Sequence, residues 1–384
     1  MGFITGDKIE SWAQSQNKVS VTAVISVIPN ISKHKGMKKI SIGIDFSKKT
    51  FDATVLRRED DRFQELGYNK FNNDSKGFRE FEKWVKTTLK PTPEAKDKSS
   101  WIFCGEHTGV YSIGLCDYLA KKKYFMWLES ALVIHRKCGI VREKNDRIDS
   151  SRIARYALTN YSDEIKAYSL DSQDMKKLKS LYAAHVMLTK DKVAKNNQLK
   201  SGALDDSPCA RKLILSQLDS VKKTLNKIDR EIEKLLKESE EFSHTYEILK
   251  SFKGVGFVTI AALTIKTRNF QNMTDSKELG CYIGVVPHRK QSGTSIDKPA
   301  RTSRYRDGST NALITACVNS AIVHDNPIIR PYYDRLVARG VHPYKAKNNC
   351  KFKVINVLLA MVRNHTPFDI EKHAKSKKNW GTAV

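Results

Sequence analysis

No Cys-x-x-Cys pair occurs in this 384-residue chain, no apolar run is long enough to cross a bilayer, and acidic residues are far outnumbered by basic ones. Each shortage excludes something. The seven cysteines (Cys104, Cys116, Cys138, Cys209, Cys281, Cys317, Cys350) are scattered without paired spacing, so neither a zinc cluster nor a disulfide framework is expected. A reducing cytosol is the simple reading. The apolar stretch VTAVISVI at 21–28 falls far short of the roughly 20 residues of a membrane span, and no basic segment precedes it as in a signal peptide. The start, MGFITG, has Gly at position 6 where a myristoylation signal needs Ser or Thr. No membrane partner is expected. The 42 acidic residues stand against 68 Lys and Arg, a formal net charge of +26 carried along most of the length. That favours a polyanionic partner, most commonly nucleic acid, because each neutralised phosphate releases condensed counterions. A basic ribosomal or membrane-surface protein has the same balance, so charge alone does not choose.

A chain of this length exceeds most single cores, and 40% hydrophobic residues suffice for packed domains. Residues 1–37 form an extension of unclear role, and MKKISIGIDF at Met37 reads like a domain start and a candidate start of translation. From 38 to 165 short β-rich runs alternate with helical ones. KISIGIDF and TFDATVLRR read as paired strands, SKGFREFEKWVKTTL as a helix, SWIFCGE as a buried strand, YSIGLCDYLAKKK as a helix and YFMWLES as a strand. This predicts an α/β layer sandwich. Over 171–245 the strands stop: one helix, a Gly202 and Pro208 break, then a second in which Ile214, Leu218, Val221, Leu225, Ile228, Ile232 and Leu235 are spaced as a coiled-coil seam. The two helices pack either on each other or on another subunit. From 246 to 375 the chain reads as helical and basic, ahead of a tail at 376–384. GVGFVTIAALTI has a turn at Gly254 and Gly256 that either holds a nucleic-acid phosphate on its backbone N–H groups or caps a structural helix.

Four carboxylates sit where chemistry can use them. Asp45 lies in the first strand among apolar neighbours, where an acid is costly to bury unless paired or bound to metal. Glu106 ends the strand WIFCGE, and Asp146 and Asp149, three apart at the start of a helix, project from one face. Taken singly, Asp146 is explained as an N-cap, Asp149 by the helix dipole and Glu106 as a strand end. As an ordered set they suit hard cations, Mg2+ with Mn2+ an alternative, which two at a time clamp the attacking and leaving oxygens of a phosphodiester exchange. Actin-like ATPases fit less well, because DFS lacks their phosphate-loop glycine. Proofreading-type exonucleases fit less well too, because position 47 is Ser where they carry Glu.

GIDFSKKTFD, EHTGVY and KNDRIDSSRIARYA in this order resemble the RuvC-like DEDD half of the transposases of a bacterial insertion-sequence group, the IS-one-ten group, related to the Piv DNA invertases. LKSFKGVGFVTIAALT, ELGCYIGVVPHRKQSGTS, NPIIRPYYDRLVARG and TPFDIEKH are similar to its carboxyl domain. The resemblance implies a RuvC/RNase H-like mixed-sheet domain, a helical coiled-coil connector and a mainly helical, basic transposase domain. It implies a site-specific recombinase with Asp45, Glu106, Asp146 and Asp149 as metal ligands and Ser292, in QSGTS, as nucleophile; Ser295 is the neighbouring candidate. Without the resemblance HRKQSGTS reads as a polar loop. His288, Arg289, Lys290, Arg301, Arg304 and Arg306 flank it and are either phosphate contacts or a solvated basic face. The resemblance further implies donor and target DNA, a guide RNA transcribed from the element, and a homo-oligomer, dimer or tetramer, in which one subunit's serine domain completes another's acid site. Three positions depart from the family pattern: His107 after Glu106, Asn145 for Thr, and Ser150 for Ala. The competing functions are a Piv-like invertase or RuvC-like junction nuclease, and a non-catalytic nucleic-acid-binding protein.

Overall fold

The computed structural model describes residues 38–369 except 61, 140–144, 205 and 293–295, and gives the backbone alone at 290, 292 and 296–299. The extension 1–37, with its Met37 start, and the tail 376–384 lie outside the described residues, as does Ser295. The chain divides between Leu170 and Asp171 into two compact units.

The first unit is built on a five-stranded sheet in the order β3-β2-β1-β4-β5, from β1 (Ile40–Phe46), β2 (Thr50–Glu59), β3 (Arg62–Asn72), β4 (Trp101–Glu106) and β5 (Met126–Glu129). β2 pairs antiparallel with β1 and β3, whereas β1, β4 and β5 run parallel. The alternation of β1 decides what covers each face, since successive side chains point to opposite sides. Ile40, Ile42, Ile44 and Phe46 join a core with Phe51, Phe81 and Phe103, closed by α1 (Ser75–Leu89) and α2 (Val110–Lys121). α1 starts where Asp74 accepts hydrogen bonds from the Lys76 and Gly77 amides at 2.9 and 2.8 Å. Behind a short α3 (Ala131–Lys137), α4 (Asp146–Asn160) covers the opposite face, burying Ile153, Tyr156 and Ala157 with Ile102 and Cys104. The layer sandwich is thus present, with β3 added as an edge strand. Its sequence hides it, because RFQELGYNKFN is half-exposed on both faces and has no clean apolar period.

The second unit begins with α5 (Gln173–Lys200) and α6 (Pro208–Glu238). They run antiparallel: Asp174 meets Ser239, His185 meets Asp229 and Lys195 meets Gln217. Leu218, Leu225, Ile232 and Leu235 of the seam are buried. A helical core follows from α7 (Ser243–Lys250), α8 (Phe257–Thr267), α9 (Ser276–Ile283), α10 (Gly308–Val323), α11 (Ile329–Ala338) and α12 (Pro343–Arg363), packed around Ile260, Ile283, Ile314, Val354 and Leu358. One correction concerns the stretch read as a polar loop in a helical region. Pro287–Ser292 (β6) and Ile296–Thr302 (β7) form an antiparallel hairpin. Most of its residues are polar, so no apolar alternation announced it. Among the described residues no helix is long and apolar enough to cross a membrane, and the seven cysteines are free thiols.

Candidate active site

Parity along the strands assembles the acids. If Ile40, Ile42 and Ile44 face one core, Ser41, Gly43 and Asp45 face α4; by the same count so do Asp52 of β2 and Glu106 of β4. Asp45 is paired with Asp52 across β1 and β2. Glu106 follows the Ile44 and Gly105 pair of the parallel β1 and β4 by one residue, which sets it beside Asp45 at the strand ends. α4 closes on this face because position 43 is glycine. A Cβ there would stand 2.1 Å from the Ser150 carbonyl oxygen and 2.3 Å from the Ala154 nitrogen, so any side chain would push helix and strand apart.

The first turn of α4 carries Asp146 and Asp149. Asn145 is its N-cap, accepting the Ile148 amide at 2.8 Å, so this departure from the family pattern keeps the capping function. Ser150 is fully buried; its hydroxyl lies 2.7 Å from Thr54 Oγ1 and donates to the Arg147 carbonyl at 3.0 Å, which ties α4 to β2. The third departure, His107, is exposed, with its backbone N–H on the Glu129 carbonyl at 2.8 Å.

Burial pushes the Asp45 carboxyl up to about 6, and the charges of Glu106, Asp149, Asp146 and Asp52 push in the same direction. All four expected acids therefore share one electrostatic neighbourhood. Basic side chains lie beside them. Lys70 Nζ is 3.2 Å from both Asp52 and Asp146, Arg152 is 3.0 Å from Asp149, and His135 Nε2 is 3.9 Å from Glu106. Among the described residues no three His, Cys, Asp or Glu side chains are arranged to hold a metal ion. The donor chemistry, carboxylate oxygens gathered at one end of a sheet, fits a divalent cation. Sequence reading missed Asp52, which is 3% exposed and accepts the Tyr68 hydroxyl at 2.5 Å, and with it Lys70, His135 and Arg152. The period-2 pattern of TFDATVLRR held the signal for Asp52 alone.

In the second unit, Ser292 ends β6, with its backbone opposite Ile296; its side chain, like that of Lys290, is outside the described residues. His288 pairs across the hairpin with Arg301, and Lys290 with Lys298. His288, Arg289, Arg301, Arg304 and Arg306 are exposed. Gly254 packs against α10, where an added Cβ would meet the Ala321 nitrogen and the Cys317 carbonyl at 3.1 Å, so it has a packing role; Gly256 is the N-cap of α8.

A sheet of this order and mixed direction, with acids at the ends of neighbouring strands and on the helix laid across them, is consistent with an RNase H-like DEDD domain. Sequence comparison agrees and goes further. Residues 42–206 match a family model described as transposase, and residues 246–334 match the transposase IS116/IS110/IS902 family. The chain belongs to the IS110 family of transposases and is a DNA-recombining enzyme. It is similar to the pilin gene-inverting protein of Moraxella bovis, 23% identical over 88% of this chain and 100% of that one, and equally to that of Moraxella lacunata. An insertion element IS110 uncharacterized 43.6 kDa protein of Streptomyces coelicolor is 32% identical over 32% of this chain and 30% of its own.

Proposed function

We propose that this transposase excises and inserts an insertion-sequence element through a covalent phosphoserine intermediate, with Asp45, Glu106, Asp146 and Asp149 holding the metal and an element-encoded RNA choosing the sites. The observation that carries the acid assignment is geometric: strand register sets Asp45 and Glu106 side by side on the sheet face covered by the helix whose first turn carries Asp146 and Asp149. A divalent cation bound there, Mg2+ or Mn2+, would supply positive charge against the oxygens of the transferring phosphoryl group. Ser292 Oγ forms a bond to phosphorus as the bond to the leaving sugar oxygen breaks. The serine proton is released and the leaving oxygen takes one up. The phosphoserine ester conserves the phosphodiester energy for rejoining. His288, Arg289, Lys290, Arg301, Arg304 and Arg306 serve as phosphate contacts on and beside the hairpin. RNA guidance suits a chain with +26 net charge and no obvious sequence-reading helix.

Ser292→Ala should abolish any covalent protein–DNA product, read on denaturing gels; unchanged strand cleavage would remove the serine from the mechanism. Protein purified active but free of RNA would discard the guide. A second reading, inversion of a resident DNA segment, is favoured by the full-length similarity to pilin gene-inverting proteins. It predicts inverted and not excised product on a plasmid carrying the flanking DNA.

A further inference from the structure

Beyond the hairpin, the second unit holds an open cleft of about 350 Å³ lined by Tyr282, Tyr305, Arg306 and Asp307. Its composition is unusual for a surface hollow: two aromatic rings, a guanidinium and a carboxylate already committed elsewhere. Asp307 caps α10 through the Thr310 amide at 3.0 Å, accepts Ser309 Oγ at 2.5 Å, and pairs with Lys266 Nζ at 2.9 Å. Burial pushes this carboxyl up, but the Lys266 and Ser309 hydrogen bonds and the Thr310 amide bring it well below the usual carboxylate range. Its charge is therefore satisfied within the protein. Tyr282 is fixed as one wall, its hydroxyl 3.3 Å from Asp307 and its carbonyl accepting the Asp307 amide at 2.9 Å. Tyr305 is 66% exposed.

The cations here are in excess. The Arg306 stem lies on Gly284, where an added Cβ would stand 2.5 Å from its Cδ; Gly284 has φ +79°, so its lack of a side chain serves both turn and contact. The Arg306 guanidinium reaches Thr302 Oγ1 at 3.4 Å, and among the described residues no carboxylate pairs with it. Lys351, held on Asn311 Oδ1 at 3.0 Å, has its ammonium pushed below the usual lysine range by burial and by the charge of Arg306. Arg306 lines the cleft with the two tyrosines, and Lys351 lies behind Gly284, joined to its carbonyl through Asn311, whose side-chain amide donates to that carbonyl at 3.4 Å. An anion on Arg306 would relieve the repulsion, and a flat apolar group carried by that anion would cover the tyrosines.

We propose that this cleft binds one unpaired nucleotide, with its base stacked on Tyr305 against the Tyr282 wall and its phosphate on Arg306. The source is an extrahelical nucleotide of either DNA or RNA. A base offers a π-face whatever its identity, so the site tolerates sequence and reads the absence of pairing. The inference rests on the assignment of the chain as a DNA-recombining enzyme, and it adds a contact to strand distortion that the acids and the serine do not supply.

The full-length protein is titrated with a short DNA duplex, the same duplex carrying one bulged 2-aminopurine, and the corresponding RNA pair, by anisotropy and by 2-aminopurine emission. The bulged probe should bind more tightly than the duplex, with quenching. Tyr305→Ala should weaken the bulged probe by about tenfold, abolish the quenching and leave the paired duplex unchanged, and Tyr305→Trp should restore both. Tyr305 is exposed, so these variants are expected to fold. Unchanged affinity and quenching in Tyr305→Ala, or an equal loss on paired and bulged probes, would overturn the site. A response confined to the DNA or to the RNA bulge identifies the source, and no binding to any probe would instead overturn the nucleic-acid assignment itself.

Discussion

Ser150 shows how a single side chain holds the acid site together. Its hydroxyl donates to the Arg147 carbonyl, so the Thr54 hydroxyl must donate to it, both side chains being fully buried. Ser150→Ala leaves the Thr54 hydroxyl buried without an acceptor and should cost about 1–3 kcal/mol in urea unfolding. Thr54→Val combined with Ser150→Ala should recover much of that loss, since both polar groups are then gone; additive losses would refute the pairing. Asn145→Ala removes the cap beside Asp146 and should cost about 1 kcal/mol. The sequence showed Asn145 and Ser150 as departures from a pattern; their roles as cap and interlayer tie became visible only with their partners.

At the scale of elements, the site is a contact between α4 and the β1 and β2 strands, and Gly43 is its closest point. Gly43→Ala places a methyl where the Ser150 carbonyl and Ala154 nitrogen stand. The helix must move outward, so strand exchange should fall by about 100-fold even where circular dichroism shows a folded protein. Full activity in that variant would show that the α4 acids need no close seat on β1. The opposite face of the sheet is tied by Glu82 of α1. Burial pushes the Glu82 carboxyl up, but hydrogen bonds from Lys86, Tyr118 and Tyr124 together bring it down to about 2. A carboxyl lower in the folded than in the unfolded state contributes stability that is present above its ordinary value of 4.5 and lost as the pH falls toward 2. Glu82→Gln should therefore be less stable than the parent at neutral pH, with the difference shrinking through that window in urea titrations.

At the scale of the molecule, the net charge of +26 sets how the protein meets nucleic acid. Affinity for DNA should fall linearly with the logarithm of salt concentration, and Arg301→Ala or Arg304→Ala should each reduce that slope by about 0.9 if the residue contacts one phosphate. An unchanged slope would make the residue part of a solvated basic surface. The first compact unit contains the four candidate acids, and the second contains Ser292, the basic hairpin and the aromatic cleft.

The linear chain by itself determined the alternating β and α runs, the parity that sends Ile40, Ile42 and Ile44 one way and Asp45 the other, and the heptad seam of α6. These are local periodicities, and a period is a property of neighbours in sequence. It also determined Asp45, Glu106, Asp146 and Asp149 as candidates, because buried or clustered carboxylates are conspicuous in a basic chain. Tertiary structure alone decided that Asp52 stands opposite Asp45, that Lys70 lies between Asp52 and Asp146, and that a polar stretch pairs as a hairpin around the serine. It also brought Tyr282 together with Tyr305, Arg306 and Asp307 from two separate stretches of chain. Those relations depend on strand register and on packing between distant segments, where charge and burial act through space and leave no period to read.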